Sequence, residues 1–93
     1  MYAQNKVFQE AKPLEGEGYI QTAERMLGTT NENDPQVTQL WQAMAKVNGA
    51  QPPYVDYVNK PDLTAKEFFA DPTISNILSS RVEQLRMQWR PSN

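Results

Sequence analysis

The chain contains no cysteine and no histidine. Without cysteine there is no disulfide framework and no thiolate metal site. Without histidine the commonest general acid–base group and the commonest metal ligand are both missing. No apolar run approaches the roughly 20 residues of a membrane-spanning helix, and the N-terminus lacks the apolar region of a signal peptide. Positive charge is not in excess either. Nine Lys and Arg against eleven Asp and Glu leave a net charge of −2, which argues against a nucleic-acid partner. Such a chain fits a virion component, a part of the cell envelope, a cytoplasmic protein, or a domain of something longer.

Glycine is scarce, four in 93 residues, so its placement carries information. Gly16-Glu17-Gly18 precedes an apolar pattern at Tyr19, Ile20, Ala23, Met26 and Leu27, and Gly28 follows it. The spacing i, i+1, i+4, i+7, i+8 predicts a helix over Tyr19–Leu27 with one apolar face. Gly28 stands where a helix C-terminus commonly needs a left-handed residue. After a polar loop at 29–33, Asp34-Pro35 supplies an N-cap and a first-turn proline. Val37, Leu40, Trp41, Met44 and Ala45 then form the apolar face of a second helix, Pro35–Val47, with Gln39, Gln42 and Lys46 largely outside that face. Asn48-Gly49 ends it. These two segments predict a helical hairpin.

Elsewhere the signals are shorter. Met1–Lys6 is polar, and Val7–Ala11 reads as a short strand. Tyr54–Val58 is rich in β-formers and reads as a second strand. Thr64 and Glu67 form a capping box for a short helix through Phe69. Asp71-Pro72 repeats the cap-and-proline signature and opens a helix predicted over Pro72–Trp89, with Ile74, Ile77, Leu78, Val82, Leu85 and Trp89 on one stripe.

The segment from about Phe8 to Val58 resembles a lysin motif (LysM), a small carbohydrate-binding domain. Gly16, Glu17, Gly18 and Tyr19 stand at the family's Gly-Asp-Thr-Leu, Ala23 at its near-constant alanine, and Gly28 at its closing glycine. Val37, Leu40 and Trp41 followed by Val47-Asn48-Gly49 resemble its second helix. The sequence departs from the family at Lys12-Pro13-Leu14, which interrupts the approach to the glycine turn, and at Gln51-Pro52-Pro53, where a Pro-Gly pair is usual. The resemblance implies an α+β fold, a β-α-α-β domain over 1–60 with a two-stranded sheet pairing Val7–Ala11 with Tyr54–Val58. Residues 61–93 then form a helical C-terminal extension packed on that domain or on a partner.

The resemblance also implies a function: a non-catalytic module binding peptidoglycan or a related N-acetylated, chitin-like glycan. The groove would be lined by Gly16, Glu17, Gly18 and Tyr19 on one side and by Asn48, Gly49, Ala50 and Gln51 on the other. Tyr19 reads equally as core, and on the residues alone Gly16-Glu17-Gly18 reads as a tight turn rather than a ligand loop, since neither dinucleotide nor P-loop spacing is complete. The alternative is a structural or assembly module of a virion or envelope machine, with Arg86 and Trp89 on the last helix contacting a protein partner. Catalysis is not expected. Glu15 and Glu17 read as solvated acids, and Ser75, Ser79 and Ser80 have no histidine to activate them. No cofactor, metal or membrane association is expected.

Overall fold

A computed structural model of the chain describes residues 2–49 and 63–88. Five helices follow in order: α1 (Tyr2–Glu10), α2 (Tyr19–Leu27), α3 (Pro35–Val47), α4 (Ala65–Phe69) and α5 (Pro72–Gln88). Helix amounts to 72%, with no strand among the described residues. This overturns the expected α+β fold with its two-stranded sheet. The expected first strand, Val7–Ala11, lies largely within α1, and its expected partner, Tyr54–Val58, falls outside the described residues.

The reason lies in the period of α1. Ala3, Val7 and Ala11 are spaced by four residues, and all three are buried. A strand would set Asn5 and Gln9 on that same face, yet both are exposed, and would turn Val7 and Phe8 to opposite sides; a helix groups Phe8 with the buried set instead. The Ala11 N–H bonds the Val7 carbonyl at 3.0 Å, closing the last helical turn. Pro13 follows just beyond, where a helix can no longer continue. Phe8 packs on Phe68 of α4 at 5.3 Å between ring centroids, and Phe68 in turn meets Phe69 edge-on.

The hairpin forms as its end signals require. Asp34 Oδ1 accepts from the Gln36 N–H at 2.8 Å, and Pro35 takes the first helical position. At the end of α2, Gly28 adopts φ 68°, ψ 31°. Its N–H bonds Arg25 O and the Thr29 N–H bonds Glu24 O, the paired bonds of a Schellman motif. α2 and α3 pack together, and Ala23 and Leu40 are both fully buried in the shared core.

Thr64 and Glu67 make the expected capping box: Thr64 Oγ1 accepts from the Glu67 N–H, and Glu67 Oε1 accepts from the Thr64 N–H. Asp71 Oδ1 accepts from the Ile74 N–H at 3.0 Å and starts α5. The Ser75 hydroxyl adds a bond to the Phe69 carbonyl, fixing the corner between α4 and α5. α5 buries Ile74, Leu78 and Val82 against α1 and α3. Leu40, Met44, Phe68, Ile74, Leu78, Val7 and Val37 thus belong to one core cluster to which α1, α3, α4 and α5 all contribute. A bidentate ion pair between Arg81 and Glu10, with Nη2–Oε2 at 2.6 Å, ties the end of α1 to the middle of α5.

Candidate functional site

The sequence-predicted groove divides into two loops, each organised inward. In the first, the Glu17 N–H donates to Leu14 O at 2.9 Å, closing a turn whose third residue, Gly16, has φ 83°. Only glycine adopts that conformation without cost. Gly18 is extended (φ −97°, ψ −171°) and caps α2, its N–H donating to Gln21 Oε1 at 2.9 Å. A glycine has no side chain to return the bond, so only half of a capping box forms.

Glu17 is the hub of this loop. Its carboxylate accepts from the Leu14 N–H (2.9 Å), the buried Thr22 hydroxyl (3.0 Å), and Arg25 Nε and Nη2 (2.9 and 3.0 Å). Arg25 Nη2 also reaches the Lys12 carbonyl at 3.0 Å. The Arg25 guanidinium, with help from the backbone and hydroxyl donors, lowers the Glu17 carboxyl to about 2. One side chain therefore ties the α1–α2 connection to the second turn of α2.

Tyr19 is buried, its ring 6.5 Å from that of Trp41 on α3. It is core, the reading the sequence had left open beside a sugar contact. In the second loop the Asn48 N–H and its Nδ2 both donate to Met44 O (3.1 and 2.9 Å), and the Gly49 N–H donates to Lys46 O (3.0 Å). Ala50, Gln51 and Trp89 lie outside the described residues. Arg86 is in the last turn of α5, its Nη1 3.3 Å from Glu83 Oε2.

Two clefts place polar groups together. One, of about 380 Å³, lies among Glu10, Arg25, Gly28, Arg81 and Gln84. Its guanidiniums are already engaged, Arg25 by Glu17 and Lys12, Arg81 by Glu10 and Gln84. The other, of about 340 Å³, lies between α3 and the start of α5 and is lined by Gln39, Gln42, Ala43, Lys46, Asp71 and Thr73. Gln39, Gln42 and Lys46 recur at i, i+3 and i+7, one stripe of α3 beside the apolar face that packs on α5. Ala43, small and buried, forms part of the cleft wall where the two helices meet.

The side chains of Gln39, Gln42, Lys46 and Thr73 make no hydrogen bond or ion pair to any other residue, whereas Asp71 Oδ1 holds the α5 cap. The cleft has one formal positive and one formal negative charge and offers carboxamide, ammonium, hydroxyl and carboxylate groups. It suits a neutral or zwitterionic ligand rich in hydrogen-bonding groups, not a polyanion. Among the described residues no group of three or more His, Cys, Asp or Glu side chains is placed to hold a metal ion. No described helix is long and apolar enough to cross a membrane.

Sequence reasoning placed Gln39, Gln42 and Lys46 outside the apolar face of α3 but gave them no role. Nothing local marks them, because Asp71 and Thr73 complete the cleft from thirty residues away. No family model matches the chain, and no curated protein or solved structure matches it.

Proposed function

We propose that the chain is a non-catalytic assembly module that holds a peptide segment of a protein partner in the polar cleft between α3 and the start of α5. The observation that carries this reading is the contrast between the two candidate sites. Around Gly16–Gly18 the backbone donors of Glu17 and Gly18 are engaged internally. Around Gln39, Gln42, Lys46 and Thr73 the side-chain groups face solvent unengaged.

A peptide suits the cleft better than a sugar does. Two carboxamides one helical turn apart each offer a donor and an acceptor, the same pair that every backbone peptide unit presents. No aromatic ring lines the cleft to serve as a stacking platform for a pyranose. The lack of histidine and cysteine supports a binding role over catalysis. A virion or an envelope machine, where one module is present in many copies, is the setting we favour.

The test uses a random-peptide phage library selected on the full chain. Backbone-amide NMR with the selected peptides should then show shifts concentrated at 39–46 and 71–73. The double variant Gln39→Ala/Gln42→Ala should weaken binding by about tenfold, or about 1.4 kcal/mol, with unchanged circular dichroism. Selected peptides that bind elsewhere and ignore the double variant would refute the cleft. Co-sedimentation with insoluble peptidoglycan, or chitooligosaccharide shifts at Gly16–Gly18 and Asn48–Gly49, would return the function to glycan binding.

A further inference from the structure

The dipeptide Asn48-Gly49 carries a chemistry of its own. In an Asn-Gly pair the glycine nitrogen can attack the asparagine side-chain carbonyl carbon, because no side chain on the following residue obstructs it. The Gly49 N–Asn48 Cγ bond forms, the Cγ–Nδ2 bond breaks, and Nδ2 leaves as ammonia with the proton from the glycine nitrogen. One water molecule then opens the cyclic imide at either carbonyl, leaving aspartate or isoaspartate. The reaction needs no enzyme, oxidant or cofactor, only water and a conformation that brings the two atoms together.

The fold withholds that conformation. Asn48 sits at φ −81°, ψ 1° as the cap residue of α3, and Gly49 adopts φ 79°. The attacking nitrogen donates to Lys46 O at 3.0 Å, and the departing Nδ2 donates to Met44 O at 2.9 Å. Both reacting groups are thus fastened to the last turn of α3. To react, the Asn48 ψ must rotate away from 1°, and both bonds must break first.

We infer that Asn48-Gly49 is a latent deamidation site held closed by the C-cap of α3, and that its conversion weakens the cap that protects it. After conversion to aspartate, the side-chain donor to Met44 O is gone, leaving only the Asn48 backbone N–H there, and a carboxylate faces that carbonyl at the negative end of the helix. The isoaspartate product adds a methylene to the main chain and disturbs the turn further. Each opening of the last α3 turn therefore risks a change that favours further opening. Lys46, three residues before Gly49, lines the polar cleft and belongs to that turn.

Two measurements test this. The full chain is held in warm, mildly alkaline buffer with and without denaturing guanidinium, and conversion at Asn48 is followed by peptide mapping and mass spectrometry. Conversion in the folded chain should be at least about tenfold slower than in the denatured one, since it proceeds only through opened molecules. Equal rates, or a faster folded chain, would overturn the protection. Separately, Asn48→Asp should melt several degrees below the wild type at neutral pH, with the deficit shrinking as the new carboxyl is protonated. An unchanged melting temperature would overturn the claim that conversion weakens the cap.

Discussion

Replacing Glu17 by glutamine keeps the shape of the side chain and removes its charge. The carboxylate collects the Leu14 N–H, the Thr22 hydroxyl and two Arg25 donors, and its carboxyl is lowered from the ordinary 4.5 to about 2. At about 1.4 kcal/mol per tenfold change in proton affinity, that depression sets a ceiling of about 3 kcal/mol on what the charge contributes. The Arg25 side chain is 31% exposed against 16% for Glu17, so solvent screens part of the interaction. Exposed ion pairs are commonly worth less than 1 kcal/mol and hydrogen bonds to charged groups about 1.5–3, which brackets the expected loss at about 1–2 kcal/mol. Because the folded-state value lies below the unfolded one, the contribution is fully present above about pH 4.5 and is lost as pH falls toward 2. Urea denaturation of wild type and Glu17→Gln across this range reads the difference directly. The two curves should be separated by a constant amount from neutral pH down to about 5 and should converge near pH 2. A variant as stable as wild type at neutral pH, or a gap that persists undiminished at pH 2, would refute the reasoning.

Leu40→Ala should cost about 2–5 kcal/mol in the same assay, because Leu40 is fully buried in the core cluster; a loss near zero would show that the site collapses. Gly28→Ala should cost about 1–2 kcal/mol through backbone strain alone, since φ is 68° and a Cβ there meets no atom within 4 Å. Gly18→Ser should instead stabilise by about 0.5–1 kcal/mol. The backbone there is already extended, and a serine hydroxyl completes the capping box that Gln21 half forms. The added Cβ meets only Gln21 Oε1 at 3.0 Å, the far end of a flexible side chain, so a destabilised variant would mean that this end cannot shift.

The parts of the fold legible in the sequence are those written in neighbouring residues. Gly28, Asp34-Pro35, Asn48-Gly49, the Thr64–Glu67 box and Asp71-Pro72 each mark a helix end, and α2 and α3 span the residues that periodicity predicts. α1 was misread because Val7 is flanked on its buried face only by alanines, Ala3 within the helix and Ala11 just past its end, which do not stand out as an apolar stripe. Val7-Phe8 alone then looks like the β-forming pair that a lysin motif needs. The resemblance itself rests on residues with a purely helical explanation: Gly16 serves a turn, Gly28 a helix end, and Tyr19 the contact with Trp41. The bonds of Glu17 to Thr22 and Arg25 were not legible, since those partners are reached only once α2 has wound. The α3–α5 cleft was invisible for a related reason: its two walls are joined only by tertiary packing.

The choice between the two candidate sites turns on what a ligand must displace. To reach the Glu17 or Gly18 N–H, an acetamide must break a bond to Leu14 O or to Gln21 Oε1, so the exchange is close to neutral. At Gln39, Gln42, Lys46 and Thr73 it displaces only water, and each well-formed bond there yields about 0.5–1.5 kcal/mol net. Four such bonds give about 2–6 kcal/mol, comparable to the cost of immobilising a partner, so a single copy should bind weakly. Weak single sites become firm contacts when many copies act together, because each further contact forms at high effective concentration. On the proposed reading, a cleft of such weak bonds is therefore better suited to repeated use in an assembly than to capturing a scarce ligand alone.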